Sequence, residues 1–239
     1  MTCTPLWALF MFKNTFKSAI MGVYGKGDKP MNVYDFDGTI YYKNTSIDFA
    51  FWCMNRHPSL YFTYSWQVLR AYILYKRGKL ANYQLLRKLF SFLTKVKDLD
   101  IQIERYWDKN ESKISAWYLA QKKPDDLIIT ASPACIIAPI AERLGVNCVA
   151  SEYDPESGVF VNNLMYAKEK ARYIFDHDFP KIENFYSDSL SDTPLALCAE
   201  KAYLVTDSAS KLNDWPEMDK ETVEEVKKMI DTGWSVHLD

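Results

Sequence analysis

Short apolar runs and long stretches of helical period alternate along this chain, and their order predicts its architecture. Met31-Asn32-Val33-Tyr34 reads as a short buried strand, and Gly38-Thr39 breaks it into a loop. From Asn44-Thr45-Ser46-Ile47-Asp48, a run rich in capping residues, to about Lys123 the pattern is helical throughout. His57-Pro58 ends the first helix, and the following ones are predicted over about 59–77, 80–96 and 99–121. The many aromatics of this stretch recur at helical spacing, which predicts packing.

Past Pro124 the texture changes. Asp126-Leu127-Ile128-Ile129-Thr130 is the short continuous apolar run of a strand buried on both faces. Ser132 as N-cap and Pro133 at the first helical position then open a helix that Gly145 closes. A strand over 146–151 follows, then a hairpin over 153–160 turned by Pro155 and Gly158, and a helix over 168–178. A strand over 182–187 runs straight into Asp188-Ser189-Leu190-Ser191-Asp192; Thr193-Pro194 opens a helix to Glu200, and 202–205 is the last strand. The mixed charges of 219–231 predict a solvated helix.

Strands alternating with helices predict an α/β fold, a doubly wound parallel sheet, with an α-helical block inserted after the first strand. The expected organisation is an N-terminal extension over 1–30, an α/β core from 31–45 and 124–215, a helical cap over 46–123, and a C-terminal surface helix and tail over 216–239. Within the extension, Leu6-Trp7-Ala8-Leu9-Phe10-Met11-Phe12 is too short to span a bilayer and lacks the flanks of a signal peptide. It reads as a loosely attached extension, with translation from Met31 and a membrane-surface role as the alternatives.

Composition narrows the partners. The 239 residues are 48% hydrophobic, enough for a substantial core, and the composition disfavours disorder. A net charge of −2 and a pI near 6.0 give no footprint for nucleic acid and make a membrane partner unexpected. The five cysteines (Cys3, Cys53, Cys135, Cys148 and Cys198) are odd in number and scattered, which predicts buried thiols in a reducing, cytoplasmic setting. His57, His177 and His237 form no metal-binding motif. Oligomeric state is left open.

The chemistry gathers at predicted strand ends, where open α/β sheets keep their sites. Asp35 and Asp37 follow the first strand, Thr130 and Ser132 the second, and Asp188 and Asp192 a later one; Lys168 and Lys170 begin the helix after the hairpin. Two carboxylates one residue apart are costly to hold close without a cation, and Mg²⁺ is the usual one. Metal-assisted phosphoryl transfer needs these types: a carboxylate nucleophile, a second carboxyl to move a proton, a hydroxyl and an ammonium for the phosphoryl oxygens, and a further carboxylate for the metal.

On Asp35-Phe36-Asp37-Gly38-Thr39, Leu127-Ile128-Ile129-Thr130-Ala131-Ser132, a lone lysine and the acidic pair at 188 and 192, the chain resembles the haloacid dehalogenase superfamily, in its phosphoserine-phosphatase-like branch with a helical cap. The resemblance runs from Met31 to about Trp215. It implies Asp35 as nucleophile, Asp37 as general acid and then base, and Mg²⁺ held by Asp35, the Asp37 backbone carbonyl and Asp188. It also implies Thr130 on the phosphoryl group and Asp192 supporting the metal or the lysine. Lys170 is preferred as that lysine because Glu169-Lys170 precedes an amphipathic helix, with Lys168 the alternative. Asp48, Ser132 and Lys168 are further candidates for substrate contact.

An acid at position 37 favours phosphate ester cleavage over carbon–halogen cleavage, because an alkoxide leaving group needs a proton. The expectation is a Mg²⁺-dependent phosphatase acting on a small phosphorylated metabolite. A phosphotransferase or phosphomutase, or a non-catalytic binding protein of the same fold, is the alternative.

Overall fold

The computed structural model describes residues 29–161, 164–177 and 179–231. The apolar run at 6–12, Cys3, His237 and the end of the C-terminal tail lie outside the described residues.

The central sheet is built on β1 (Met31–Tyr34), whose four residues are all buried. On one side it pairs in parallel with β2 (Leu127–Pro133), which pairs with β3 (Asn147–Ser151). On its other side lies β6 (Ile182–Ser187), then β7 (Lys201–Thr206), both parallel, and an antiparallel edge strand β8 (Lys211–Asp214). The order is β3-β2-β1-β6-β7-β8, and a separate hairpin joins β4 (Tyr153–Asp154) to β5 (Val159–Phe160).

Alternation along the strands divides the core in two. Tyr34, Ile128 and Tyr186 face a cluster that includes Ile136, Ile137 and Ile140 of α6 (Ala134–Leu144). Val33, Leu127, Ile129 and Phe185 face the opposite layer, with Ala171 and Ile174 of α7 (Lys168–Asp176) and Leu195 of α8 (Thr193–Ala196). The predicted doubly wound, mostly parallel sheet is the observed one.

Between β1 and β2 lie α1 (Thr45–Arg56), α2 (Ser59–Lys76), α3 (Asn82–Phe90), α4 (Leu99–Asn110) and α5 (Ala116–Gln121). Asn44 caps α1 as expected, its side chain accepting from the Ile47 amide at 3.1 Å. The helix expected over 80–96 is shorter, and tightens into a 3-10 turn over Ser91–Lys95.

The helix expected over 99–121 is broken at Ile114–Ser115. There the Ser115 amide donates to the Ile40 carbonyl at 2.8 Å and Ile114 bridges Tyr41, so a tertiary contact outweighs helical continuity. Past the break, α5 packs on the sheet: Tyr118 meets Tyr34 edge-on at 4.9 Å, and the Trp117 indole donates to the Ala209 carbonyl at 2.8 Å.

Three further expectations are corrected. The strand β8 was not foreseen, because the turn before it uses positive φ at Asp207, Ser208 and Ala209 without a glycine or proline to mark it. The helix opened by Thr193 stops at Ala196 rather than Glu200. Ser132 is not an N-cap: β2 runs on through a bulge to Pro133, which takes the cap position, and frees the Ser132 hydroxyl for another partner.

The aromatics of the helical stretch divide. Phe49, Phe90, Phe92, Trp107 and Tyr118 are buried as expected. Phe51, Tyr61, Phe62, Trp66, Tyr72 and Tyr75 are exposed, five of them on α2. Among the described residues no helix is long and apolar enough to cross a membrane.

Candidate active site

Because β1, β2 and β6 run side by side in parallel, the loops leaving their carboxyl ends meet over one edge of the sheet. Asp35 comes directly off β1, and its amide donates to the Tyr186 carbonyl of β6 at 2.8 Å. Its side chain is buried, with Oδ1 2.8 Å from Nζ of Lys170 in the first turn of α7. The same ammonium stands 2.7 Å from Oδ2 of Asp192, which also accepts from the Ser187 hydroxyl at 2.8 Å. Burial works against the charge of Lys170, but Asp35 and Asp192 outweigh it and hold the ammonium above the usual lysine range. Burial pushes the Asp35 carboxyl upward, against the pull of Lys170.

Asp37 sits differently. Its Oδ1 accepts from the Thr45 amide at 2.7 Å and from the Thr45 hydroxyl, and its Oδ2 from the Ser132 hydroxyl at 2.5 Å. Burial raises its pKa, with these hydrogen bonds opposing. The start of α1 and the bulge of β2 therefore orient the second acid of the motif.

Asp188 enters from the end of β6, where its amide donates to the Thr39 hydroxyl at 2.9 Å. Burial pushes its carboxyl up to about 6. It stands against Gly38, which has φ +72° and no side chain to interfere.

Asp35, Asp37, Thr130, Lys170, Asp188 and Asp192 all line one cleft of about 340 Å³. Of the two lysines weighed from sequence, Lys170 faces it; Lys168, two residues earlier, is half-buried and does not line it. Ser132 lies behind Asp37 and acts on it rather than lining the cleft. Asp48 also stands off the lining. Its carboxylate takes the Lys43 ammonium at 2.6 Å and the hydroxyls of Tyr41 at 2.8 Å and Tyr106 at 3.2 Å, so it is not free to receive a substrate ammonium.

Thr45, Tyr42, Lys43 and Tyr166 were not singled out from sequence. The first three immediately follow the acidic motif, a proximity that could have marked them. Tyr166 carries no such signal, and the tertiary fold alone brings it to the cleft.

Four carboxylates face one buried ammonium here, an imbalance that calls for a cation. Among the described residues no three acidic, histidine or cysteine side chains converge into a metal cage. Mg²⁺ does not need one, since it binds through one or two carboxylates and keeps several waters. The hard oxygens of Asp35 and Asp188, beside a glycine whose missing Cβ leaves room for the Asp188 carboxylate, fit such an ion.

The fold and cleft define an α/β enzyme with its acidic residues at the carboxyl edge of a parallel sheet. The family model for haloacid dehalogenase-like hydrolases matches residues 33–197, and the chain belongs to that family. No curated protein matches it in sequence. A Bordetella pertussis Tohama I protein of unknown function is 16% identical, with a TM-score of 0.60 over 87% of this chain and 97% of that one. A phosphoserine phosphohydrolase-like protein from Francisella tularensis subsp. tularensis SCHU S4 is 15% identical, with a TM-score of 0.51 over 74% and 88%. A probable phosphoserine phosphatase from Vibrio cholerae, also 15% identical with a TM-score of 0.51, is matched over 73% of this chain and 55% of that one. These likenesses are of fold.

Proposed function

We propose that the protein is a Mg²⁺-dependent phosphatase that hydrolyses a small phosphomonoester through an aspartyl phosphate on Asp35. The observation that carries this reading is the chain of Asp35, Lys170 and Asp192, at 2.8 and 2.7 Å, beside an independently held Asp37. It supplies a fixed carboxylate, a permanent cation and a separate acid within one cleft.

In the first step Asp35 attacks phosphorus as the ester bond breaks, and the leaving oxygen takes the proton of Asp37. A raised pKa suits Asp37 to carry that proton. In the second step water attacks the phosphorus, its proton passes to Asp37, and the bond to Asp35 opens to release inorganic phosphate. Thr130 and Lys170 hold the phosphoryl oxygens, and Lys170 neutralises the charge that develops on them. Mg²⁺, held by Asp35, the Asp37 carbonyl and Asp188, would supply further neutralisation of the phosphoryl group.

The volume of the cleft suits a small molecule. We read the helices between β1 and β2 as a cap that restricts entry to it. The four described cysteines are all unpaired, which supports a reducing, cytoplasmic setting.

The test is phosphate release from a panel of small phosphomonoesters, with Mg²⁺ and with chelator, comparing the wild type with Asp35→Asn. Metal-dependent turnover that falls by about 10³-fold or more in the variant is the expected result. Equal release by both proteins, or release indifferent to chelator, would sink the reading.

A further inference from the structure

Helix α2 is apolar on two opposite faces. Leu60 and Ala71 are buried on one, where the Tyr64 hydroxyl also donates to the Leu89 carbonyl at 2.5 Å. On the other, Phe62, Trp66, Leu69 and Ile73 recur at spacings of four, three and four and fall within about 60° of arc. These four side chains are 85%, 70%, 49% and 40% exposed. An apolar helix face is ordinarily covered by protein or by lipid, and nothing among the described residues covers this one.

Charge narrows the choice of what covers it. Residues 49–97 hold nine Lys and Arg and no Asp or Glu, whereas the other 190 residues hold 20 basic and 31 acidic side chains. All nine basic residues are exposed, and the segment contains no carboxylate to pair with them. Arg70 and Lys76 on α2, with Arg77 just past its end, flank the apolar stripe. The overall charge of −2 conceals this local excess.

We propose that α2 is a docking surface for an anionic lipid bilayer, lying in the interface with Phe62 and Trp66 among the acyl chains and Arg70, Lys76 and Arg77 at the headgroups. Aromatic side chains favour that boundary, and basic ones are drawn to the negative surface potential of anionic lipid. The surface is independent of the cleft chemistry, and none of these residues lines the cleft.

The experiment is co-sedimentation of the full chain with vesicles of phosphatidylcholine alone, or of equal parts phosphatidylcholine and phosphatidylglycerol. Binding is expected to the anionic vesicles and to weaken with added salt. It should fall at least about tenfold in Phe62→Ser/Trp66→Ser. In Arg70→Gln/Lys76→Gln/Arg77→Gln it should fall by about a hundredfold. Because these side chains are exposed, circular dichroism melts and turnover of a soluble phosphomonoester should match wild type, which separates a failure here from a failure of the phosphatase reading.

No binding to anionic vesicles, or binding unchanged in both variants, would overturn the proposal. So would a lipid-free dimer that Phe62→Ser/Trp66→Ser converts to monomer without any vesicle binding, since the face would then belong to a second copy. Binding lost in Trp7→Ser/Phe10→Ser but retained in the α2 variants would assign the lipid contact to the N-terminal run instead.

Discussion

A Cβ placed on Gly38 would stand 2.0 Å from Oδ2 of Asp188, although the two residues are far apart in sequence. The glycine also holds φ +72°, a conformation that costs other residues about 1–2 kcal/mol. Gly38→Ala is therefore expected to displace the Asp188 carboxylate as well as strain the loop. On the phosphatase reading, Mg²⁺ affinity should weaken and turnover fall while secondary structure persists. A Mg²⁺ titration of activity, alongside circular dichroism, checks this; wild-type affinity would show that Asp188 is not a ligand.

Lys170 is the countercharge for two buried carboxylates, with 3% of its side chain exposed. Lys170→Met leaves Asp35 and Asp192 close together without their cation. A destabilisation of about 3–5 kcal/mol is expected, as for other broken buried pairs. Urea denaturation at neutral pH reads it directly. Adding Asp192→Asn to the Met variant should recover part of the loss, because one stranded charge is then removed.

Asp48 ties the loop after the acidic motif to α4 through Tyr41 and Tyr106. Burial alone would raise its carboxyl, but the hydrogen bonds from Lys43 and Tyr41, with the charges of Lys43 and Lys113, prevail and hold it below its ordinary range. A depressed folded pKa means stability fully present above the unfolded value of about 3.9 and lost as pH falls through the folded value. Asp48→Asn should thus be less stable than wild type by about 1–2 kcal/mol at neutral pH. The gap should close in strong acid, as followed by thermal melting across pH. A gap that persists there would mean that the charge of Asp48 is not what stabilises.

Ser132 donates to Asp37 at 2.5 Å from behind the cleft. Ser132→Ala is expected to lower kcat by up to about 10²-fold through misplacement of the acid, with KM nearly unchanged. Ser132→Thr should restore much of the rate. A rise in KM instead would make Ser132 a substrate contact.

Much of the site was legible because its parts are local. Asp35 and Asp37 are two residues apart at the end of an apolar run, and Asp188 and Asp192 follow another. The helix pattern could also separate the two lysines: Lys170 lies one turn before the buried Ile174 and on its side of the helix, whereas Lys168 lies about 120° round from it. The role of Ser132 was not legible, because it depends on a bulge that carries β2 beyond its apolar run. Nor was the break at Ile114–Ser115, where the sequence reads as continuous helix and the distant Ile40 carbonyl decides otherwise.

The order of strands and helices and the acidic residues at the strand ends are legible in the chain alone, since period, punctuation and neighbouring residues are properties of short segments. So is the basic, acid-free stretch over 49–97, which the average charge conceals. It took the folded chain to show that Asp35, Lys170 and Asp192 form one ion cluster, that Asp48 is spent on Lys43 and two tyrosines, and that Phe62 and Trp66 face outward. Such pairings and exposures are set by which segments pack together, and periodicity gives the face of a helix without saying what lies against it.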